Sequence, residues 1–491
     1  MSLQVILAGH NLDRQALEAH LAGQGEGLSL SPETLSAAYA RISRDPRAVP
    51  EIREDARREV EKSRRSNRAI IFDMGHSSVA EHATFNLDVL GLSRLAVESL
   101  EHHRLASYTE KSQRYIRLEG EYVVPEEIRG TELEPAFRQR VEALAAFYGE
   151  LAQALTAQAE REAEGKTRRR ELESRANEDA RYILPLCAQA QLGMTVNARS
   201  LELMIARAGA HPLAEVRALG QALFAAVSEI ASSVIRYTEP SAYFLETPKA
   251  LGQFVQAWQA DDLHSAPLAA DGEPFGLALI EHSPEPDQKV AEALLFAHGR
   301  NNWQSNLEGI KKTKSQQLQA LFAQVYEHMK LWDTLPRAWE TVHFTFELEL
   351  SAAAFGQLKR HRMASLMSQP YDLSLGHTLP DSVRRVGLKD RFVEEANACE
   401  VLYARIAEHS PAAAPYILTN AHRRRVRFEL NGRALGHFSR LRCDAEAQWD
   451  IRDIASAMVA EVQKVMPLAG AFYGGKDCVE DLHTQVRRKA D

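Results

Sequence analysis

The sequence predicts an α+β fold in two homologous domains, each a mixed β-sheet packed with long helices. Two observations carry this. Residues 83–107 (ATFNLDVLGLSRLAVESLEHHRLAS) and 341–365 (TVHFTFELELSAAAFGQLKRHRMAS) align without a gap, 258 positions apart, and both end in His-Arg-hydrophobic-Ala-Ser. Asn197-Ala198-Arg199-Ser200-Leu201 corresponds to Asn431-Gly432-Arg433-Ala434-Leu435, 234 positions apart. Repetition on this scale marks a tandem duplication.

The elements follow in order. The start, MSLQVILAGHN, reads as a first strand and lacks the basic region of a secretory signal. In the first copy Phe85, Leu87 and Val89 alternate with Thr84, Asn86 and Asp88. In the second, Val342, Phe344, Phe346, Leu348 and Leu350 alternate with His343, Thr345, Glu347 and Glu349. Period-two alternation of this kind predicts a strand with one buried face, and a helix follows it in each copy. The second copy is shorter by 24 residues, the difference between the two offsets. The extra length of the first falls around 131–180, a long helical pattern with the charged stretch Glu160–Arg175. The second matching block leads into amphipathic helices at roughly 213–235 and 447–466. Asp261-Asp262, Pro267 and Asp271-Gly272 read as a linker. The expected domains are therefore 1–250 and 276–491, joined by 251–275.

Composition narrows the function. The 491 residues are 45% hydrophobic, 26% charged and 7% aromatic, an ordinary globular balance that excludes wholesale disorder. A net charge of -8 disfavours a general nucleic-acid binder. No run reaches the ~18 apolar residues of a membrane span. Cys187, Cys399, Cys443 and Cys478 are widely spaced and form no Cys-x-x-Cys pair, which argues against a zinc cage or disulfide framework and for a reducing, cytoplasmic setting. His76 and His82, with Glu81, lack the spacing of a His-Glu-x-x-His helix, so no metal site is expected.

The segment His102-His103-Arg104-Leu105-Ala106-Ser107-Tyr108-Thr109-Glu110-Lys111-Ser112-Gln113-Arg114-Tyr115 resembles the signature R-H-R-hydrophobic-A-S-x-x-E-x-S-x-R-Y of the flavin-dependent thymidylate synthases, except at its first arginine. Gly75-His76-Ser77-Ser78-Val79-Ala80-Glu81-His82, Ala40-Arg41-Ile42-Ser43, Arg181-Tyr182-Ile183-Leu184-Pro185-Leu186 and Asn197-Ala198-Arg199-Ser200-Leu201 are similar to further motifs of that family, in its order. The second copy matches at Arg360-His361-Arg362-Met363-Ala364-Ser365. It matches again from Asn431 through Arg442 to Ala447-Gln448-Trp449-Asp450-Ile451-Arg452.

The resemblance implies reductive C5-methylation of dUMP to dTMP, with FAD as cofactor and NADPH and methylenetetrahydrofolate as co-substrates. Such chemistry rests on phosphate recognition by guanidinium groups and on positioning of the carrier, so it needs no cysteine nucleophile. The resemblance places Glu110, Ser112, Gln113, Arg114, Arg181, Gln357 and Arg442 at substrate positions. Arg442, Arg207 (after a one-residue gap) and Ser112 stand at reacting positions. It places Ser43, Ser78, Glu81, His103, Arg104, Asn197 and Arg199 at flavin positions in the first copy. In the second these are Arg360, His361, Arg362, Met363, Asn431, Arg433, His437 and Leu441.

Each copy departs from the pattern differently. In the first, His102 replaces an arginine, and an imidazole near pKa ~6.5 is mostly neutral at pH 7. Ser99 replaces a substrate glutamine. In the second, Ser368, Pro370 and Asp372 replace the loop's Glu, Ser and Arg, Pro415 replaces the phosphate arginine, and Glu340 keeps the acid of the Glu-His pair only with a one-residue shift. The losses are complementary, which implies composite sites in a homodimer that forms a pseudo-tetramer. The same flavin chemistry on another pyrimidine nucleotide, and a non-catalytic nucleotide-binding scaffold, remain as alternatives.

Plainer roles stand beside these. Asn197 and Asn431 are also placed to cap helices. Arg168–Arg170 and Arg423–Arg425 with Arg427 both read as exposed faces; Arg423, Arg425 and Arg427 would share one strand face, with a polyphosphate or RNA contact as the alternative.

Overall fold

The computed structural model describes residues 2–113, 120–162, 166–258, 267–269, 273–330, 332–478 and 482, with backbone only at 166–170. Arg114 therefore lies outside the described residues, as do the side chains of Arg168–Arg170.

Four strands, β1 (Gln4–His10), β2 (Thr84–Ser93), β3 (Ala106–Glu110) and β4 (Gln189–Asn197), form one sheet in the order β1-β2-β4-β3. Four more, β5 (Gly276–His282), β6 (His343–Ser351), β7 (Ser365–Tyr371) and β8 (Arg423–Asn431), form a second in the order β5-β6-β8-β7. The identical order confirms the duplication and the α+β class. Every strand pairing is antiparallel, where a mixed sheet was expected. The cause is a strand inserted between two others. The path β2–helix–β3 leaves those two strands running the same way, but β4 lies between them and pairs antiparallel with both.

Alternation in the sequence is realised as burial. Phe85, Leu87 and Val89 are shielded from solvent in β2, as are Phe344, Phe346, Leu348 and Leu350 in β6. The second set packs with Phe428, Phe438, Ile454 and Trp339 in one core, where each large apolar side chain contributes roughly 1.5–3 kcal/mol. β2 and β6 differ at one position. β2 carries a register shift between Leu90 and Leu92, with Gly91 at φ +72°, a backbone conformation glycine adopts without steric cost. The matching Glu349 of β6 sits in an unbroken ladder and pairs with Arg425.

Helices Arg94–Glu101 and Ala352–Leu358 are capped by Ser93 and Ser351. Helices Ala198–Gly209 and Gly432–Arg442 are capped by Asn197 and Asn431, each of which accepts a backbone N–H at 2.8 Å. The amphipathic helices expected next are Ala214–Val227 and Trp449–Val465. The extra length of the first copy holds helices Leu133–Glu162 and Lys166–Ala180. Residues 251–258 continue the helix Ala242–Trp258. Residues 259–266 and 270–272 lie outside the described residues.

The chain divides into two compact units whose composition is not that of the two copies. One contains Met1–Asn177, Leu184–His264 and Asn397–Leu418; the other contains Glu178–Ile183, Ser265–Ala396 and Thr419–Asp491. Each unit thus holds a short segment of the opposite copy. Arg181 and Tyr182 belong to the unit built on β5–β8, Pro415 and Tyr416 to the one built on β1–β4.

Two of the three arginines behind the polyphosphate or RNA reading, Arg423 and Arg425, are consumed internally, and the exposed Arg427 lies 3.7 Å from Glu281, so the strand does not present the three-arginine face that reading needs. Arg423 donates to Thr378 Oγ1 at 3.0 Å and to the Glu273 carbonyl at 2.6 Å, and Arg425 pairs with Glu349 at 2.7 Å. Arg424 has the rings of Phe355 and Tyr371 each 4.5 Å from its guanidinium carbon.

Candidate active site

In the unit built on β5–β8, the end of helix Gly432–Arg442 brings Arg442 to the end of helix Ala352–Leu358. Arg442 donates from Nε to His361 Nε2 at 2.9 Å, and from Nη1 and Nη2 to the side-chain and backbone oxygens of Gln357 at 3.2 and 3.3 Å. Burial first, then the charge of Arg442, pushes His361 down to about 3. Its imidazole is neutral at pH 7, and because Nε2 accepts from Arg442 its proton sits on Nδ1. Around this pair, Arg360 is exposed, Met363 is 83% exposed, and His437 lies with its ring 6.2 Å from that of His361. Arg362 and Leu441 are half-buried.

Arg433 pairs with Glu340 at 2.9 Å, just as Arg199 pairs with Glu81 at 2.5 Å in the other unit. Glu340 therefore takes the place of Glu81 through the one-residue shift. Arg181 joins Arg442 in this unit through the exchanged segment. It is buried, its Nε donates to the Glu178 carbonyl at 3.3 Å, and its Nη2 has no hydrogen-bond partner among the described residues.

The matching positions of the other unit are wired differently. Ser99 faces His211 Nε2 at 3.1 Å, and Arg207 is exposed, its guanidinium carbon 5.8 Å from the centre of the Phe244 ring. Burial pushes His103 and His211 each down to about 4; the next cause is Arg207 for the first and Arg217 for the second. Ser43, Ser78, Arg104 and Arg199 are exposed. Glu110 forms an ion pair with Arg94, Gln113 is buried and Ser112 is half-buried in the turn after β3.

Sequence reasoning missed a buried trio that both units share. In one, Ser351 Oγ (2.5 Å) and Tyr182 Oη (2.8 Å) donate to Asp450. In the other, Ser93 Oγ and Tyr416 Oη each donate to Glu215 at 2.6 Å. Tyr182 and Tyr416 stand at the 234-residue offset, and Ser93 and Ser351 at the 258-residue offset. Matched polar residues in apolar surroundings were the available signal.

A family profile described as thymidylate synthase complementing protein matches residues 28–232 and 278–468, more than half of the chain. The chain belongs to this family, that of the flavin-dependent thymidylate synthases, as two tandem copies. A UPF0159 protein of Chlamydia muridarum is 24% identical over 459 residues, covering 88% of this chain and 85% of its own length. The flavin-dependent thymidylate synthase of Clostridium tetani is 30% identical over 216 residues, 43% of this chain and 84% of that protein. Among solved structures, the flavin-dependent thymidylate synthase of Helicobacter pylori, complexed with FAD and dUMP, is 20% identical. It covers 48% of this chain and 99% of that one, with a TM-score of 0.30.

Proposed function

We propose that the chain carries out the reductive C5-methylation of dUMP to dTMP, with methylenetetrahydrofolate as carbon donor and NADPH as reductant. It does so at one competent site per chain, centred on Arg442. The observation that carries this reading is the presence, in one unit, of an Arg442 held by Gln357 and His361 and of a buried Arg181 whose Nη2 has no hydrogen-bond partner among the described residues. Arg181 holds the substrate phosphate, and Arg442 draws electron density from the uracil carbonyl so that C5 becomes nucleophilic. The neutral His361 leaves the positive charge of Arg442 uncancelled, while Gln357 fixes its plane.

The exposed Arg360 with Met363 and His437 fits the FAD site, joined by His361, Arg362, Asn431, Arg433 and Leu441. When bound, FAD supplies the hydride that completes the methyl group. The first-copy loop of Glu110, Ser112, Gln113 and Arg114 closes the phosphate end from a second copy of the chain, in a homodimer of four homologous domains. Four free cysteines support a reducing, cytoplasmic setting. On this reading the flavin positions Ser43, Ser78, Glu81, His103, Arg104, Asn197 and Arg199 of the first copy, and Arg207, belong to a site that no longer turns over.

The test is dUMP binding to FAD-saturated protein, followed by the flavin spectrum, and then turnover. Arg442→Ala and Arg181→Ala abolish both, and Arg207→Ala retains them. Full binding in Arg442→Ala refutes the assignment. A preference for UMP over dUMP identifies another pyrimidine, and a protein whose flavin NADPH does not reduce is the scaffold instead.

A further inference from the structure

Four hydrogen bonds join Arg442 to a carboxylate, all donated in one direction. Arg442 Nη1 donates to Gln357 Oε1 at 3.2 Å, and Gln357 Nε2 to Gln448 Oε1 at 3.0 Å. Gln448 Nε2 then donates to Tyr182 Oη at 2.6 Å, and Tyr182 Oη to Asp450 Oδ2 at 2.8 Å. Bonds aligned in this way polarise one another and fix the orientation of both amides. Gln448, Tyr182 and Asp450 are fully buried, so a broken link cannot be repaired by water.

The other unit is an internal control. It keeps the trio of acid, tyrosine and serine (Glu215, Tyr416, Ser93) but not the amides. Leu213 stands where Gln448 does, Ser99 where Gln357 does, and Arg207 is exposed over Phe244. Retained in both units, the trio anchors the exchanged segment. The two glutamines connect it to an arginine in one unit alone.

We infer that Tyr182, acting through Gln448 and Gln357, is a positioning residue for Arg442, so that the exchanged segment both supplies Arg181 and sets the uracil-facing arginine. This rests on the reading that Arg442 acts on substrate. The segment Glu178–Ile183 then delivers two functions to one site, through a tyrosine whose twin, Tyr416, delivers none.

The experiment compares Tyr182→Phe, Gln448→Leu and Tyr416→Phe in the full chain. Gln448→Leu cuts the relay yet leaves the bond between Tyr182 and Asp450, and leucine already occupies the matching position of the first copy. The first readout is the Arg442 Nε–H resonance in a ¹⁵N–¹H correlation spectrum, assigned through Arg442→Lys. Tyr182→Phe and Gln448→Leu each move it and speed its solvent exchange, whereas Tyr416→Phe leaves it unchanged. The second readout is dUMP affinity, expected to fall about tenfold in the first two variants only. An Arg442 signal that stays at its wild-type position in Gln448→Leu overturns the inference, as does an equal response to Tyr416→Phe. Should Tyr182→Phe fail to fold, Gln448→Leu decides alone. A moved signal in a protein that never binds dUMP sustains the relay and fails the functional reading instead.

Discussion

Arg207 and Arg442 end matching helices but meet different neighbours, and the residues around them account for the difference. A glutamine spans from helix Ala352–Leu358 to Arg442, whereas Ser99 is too short to do so and turns to His211. Asp450 anchors the far end of the relay, and burial pushes its carboxyl up to about 6, against the pull of Ser351 and Tyr182. With the folded pKa above the unfolded value, its contribution is fully present below about 3.8 and is lost as pH rises through about 6. Asn at this position accepts the same two bonds and does not titrate. Asp450→Asn should therefore gain stability over wild type by on the order of 2 kcal/mol between about pH 4.5 and about pH 7.5. Urea unfolding at both pH values, followed by tryptophan fluorescence, checks this; a constant difference between the proteins contradicts it.

At the scale of elements, the junction from β8 into helix Gly432–Arg442 is the tightest point near the site. A Cβ on Gly432 would lie 2.9 Å from the Trp339 carbonyl and 2.9 Å from Val342 Cγ2. Gly432→Ala should cost roughly 1–3 kcal/mol and loosen Arg433 from Glu340, although alanine stands at the matching Ala198. Asn431→Ala should cost about 1 kcal/mol through its cap. Unfolding midpoints measure both, and an unchanged midpoint in Gly432→Ala would mean that the backbone yields freely.

Strands, caps and helix order were legible because each leaves a local mark: alternation in β2 and β6, and asparagine before an apolar stripe. The insertion of β4 between β2 and β3 left no such mark, since it depends on residues about a hundred positions away. Gly91 was visible as a glycine, but only the ladder reveals that it absorbs a bulge that β6 lacks.

For the whole molecule, the duplication has produced two units that share a plan. By sequence Arg181 belongs with the first copy, and in the fold it falls in the unit that also holds Arg442. No local pattern predicts such an exchange, because Asn420 and Ala421 receive the segment by bonding the Arg181 and Tyr182 carbonyls from 239 residues away. Pro415 takes the reciprocal place, in the unit that carries Ser99 and the exposed Arg207. The proposal of one competent site per chain rests on these paired differences. The most direct measurement is the dUMP stoichiometry of the FAD-saturated protein by calorimetric titration. One dUMP per chain, abolished by Arg181→Ala, is the predicted result; two per chain, or one that survives Arg181→Ala, would contradict it.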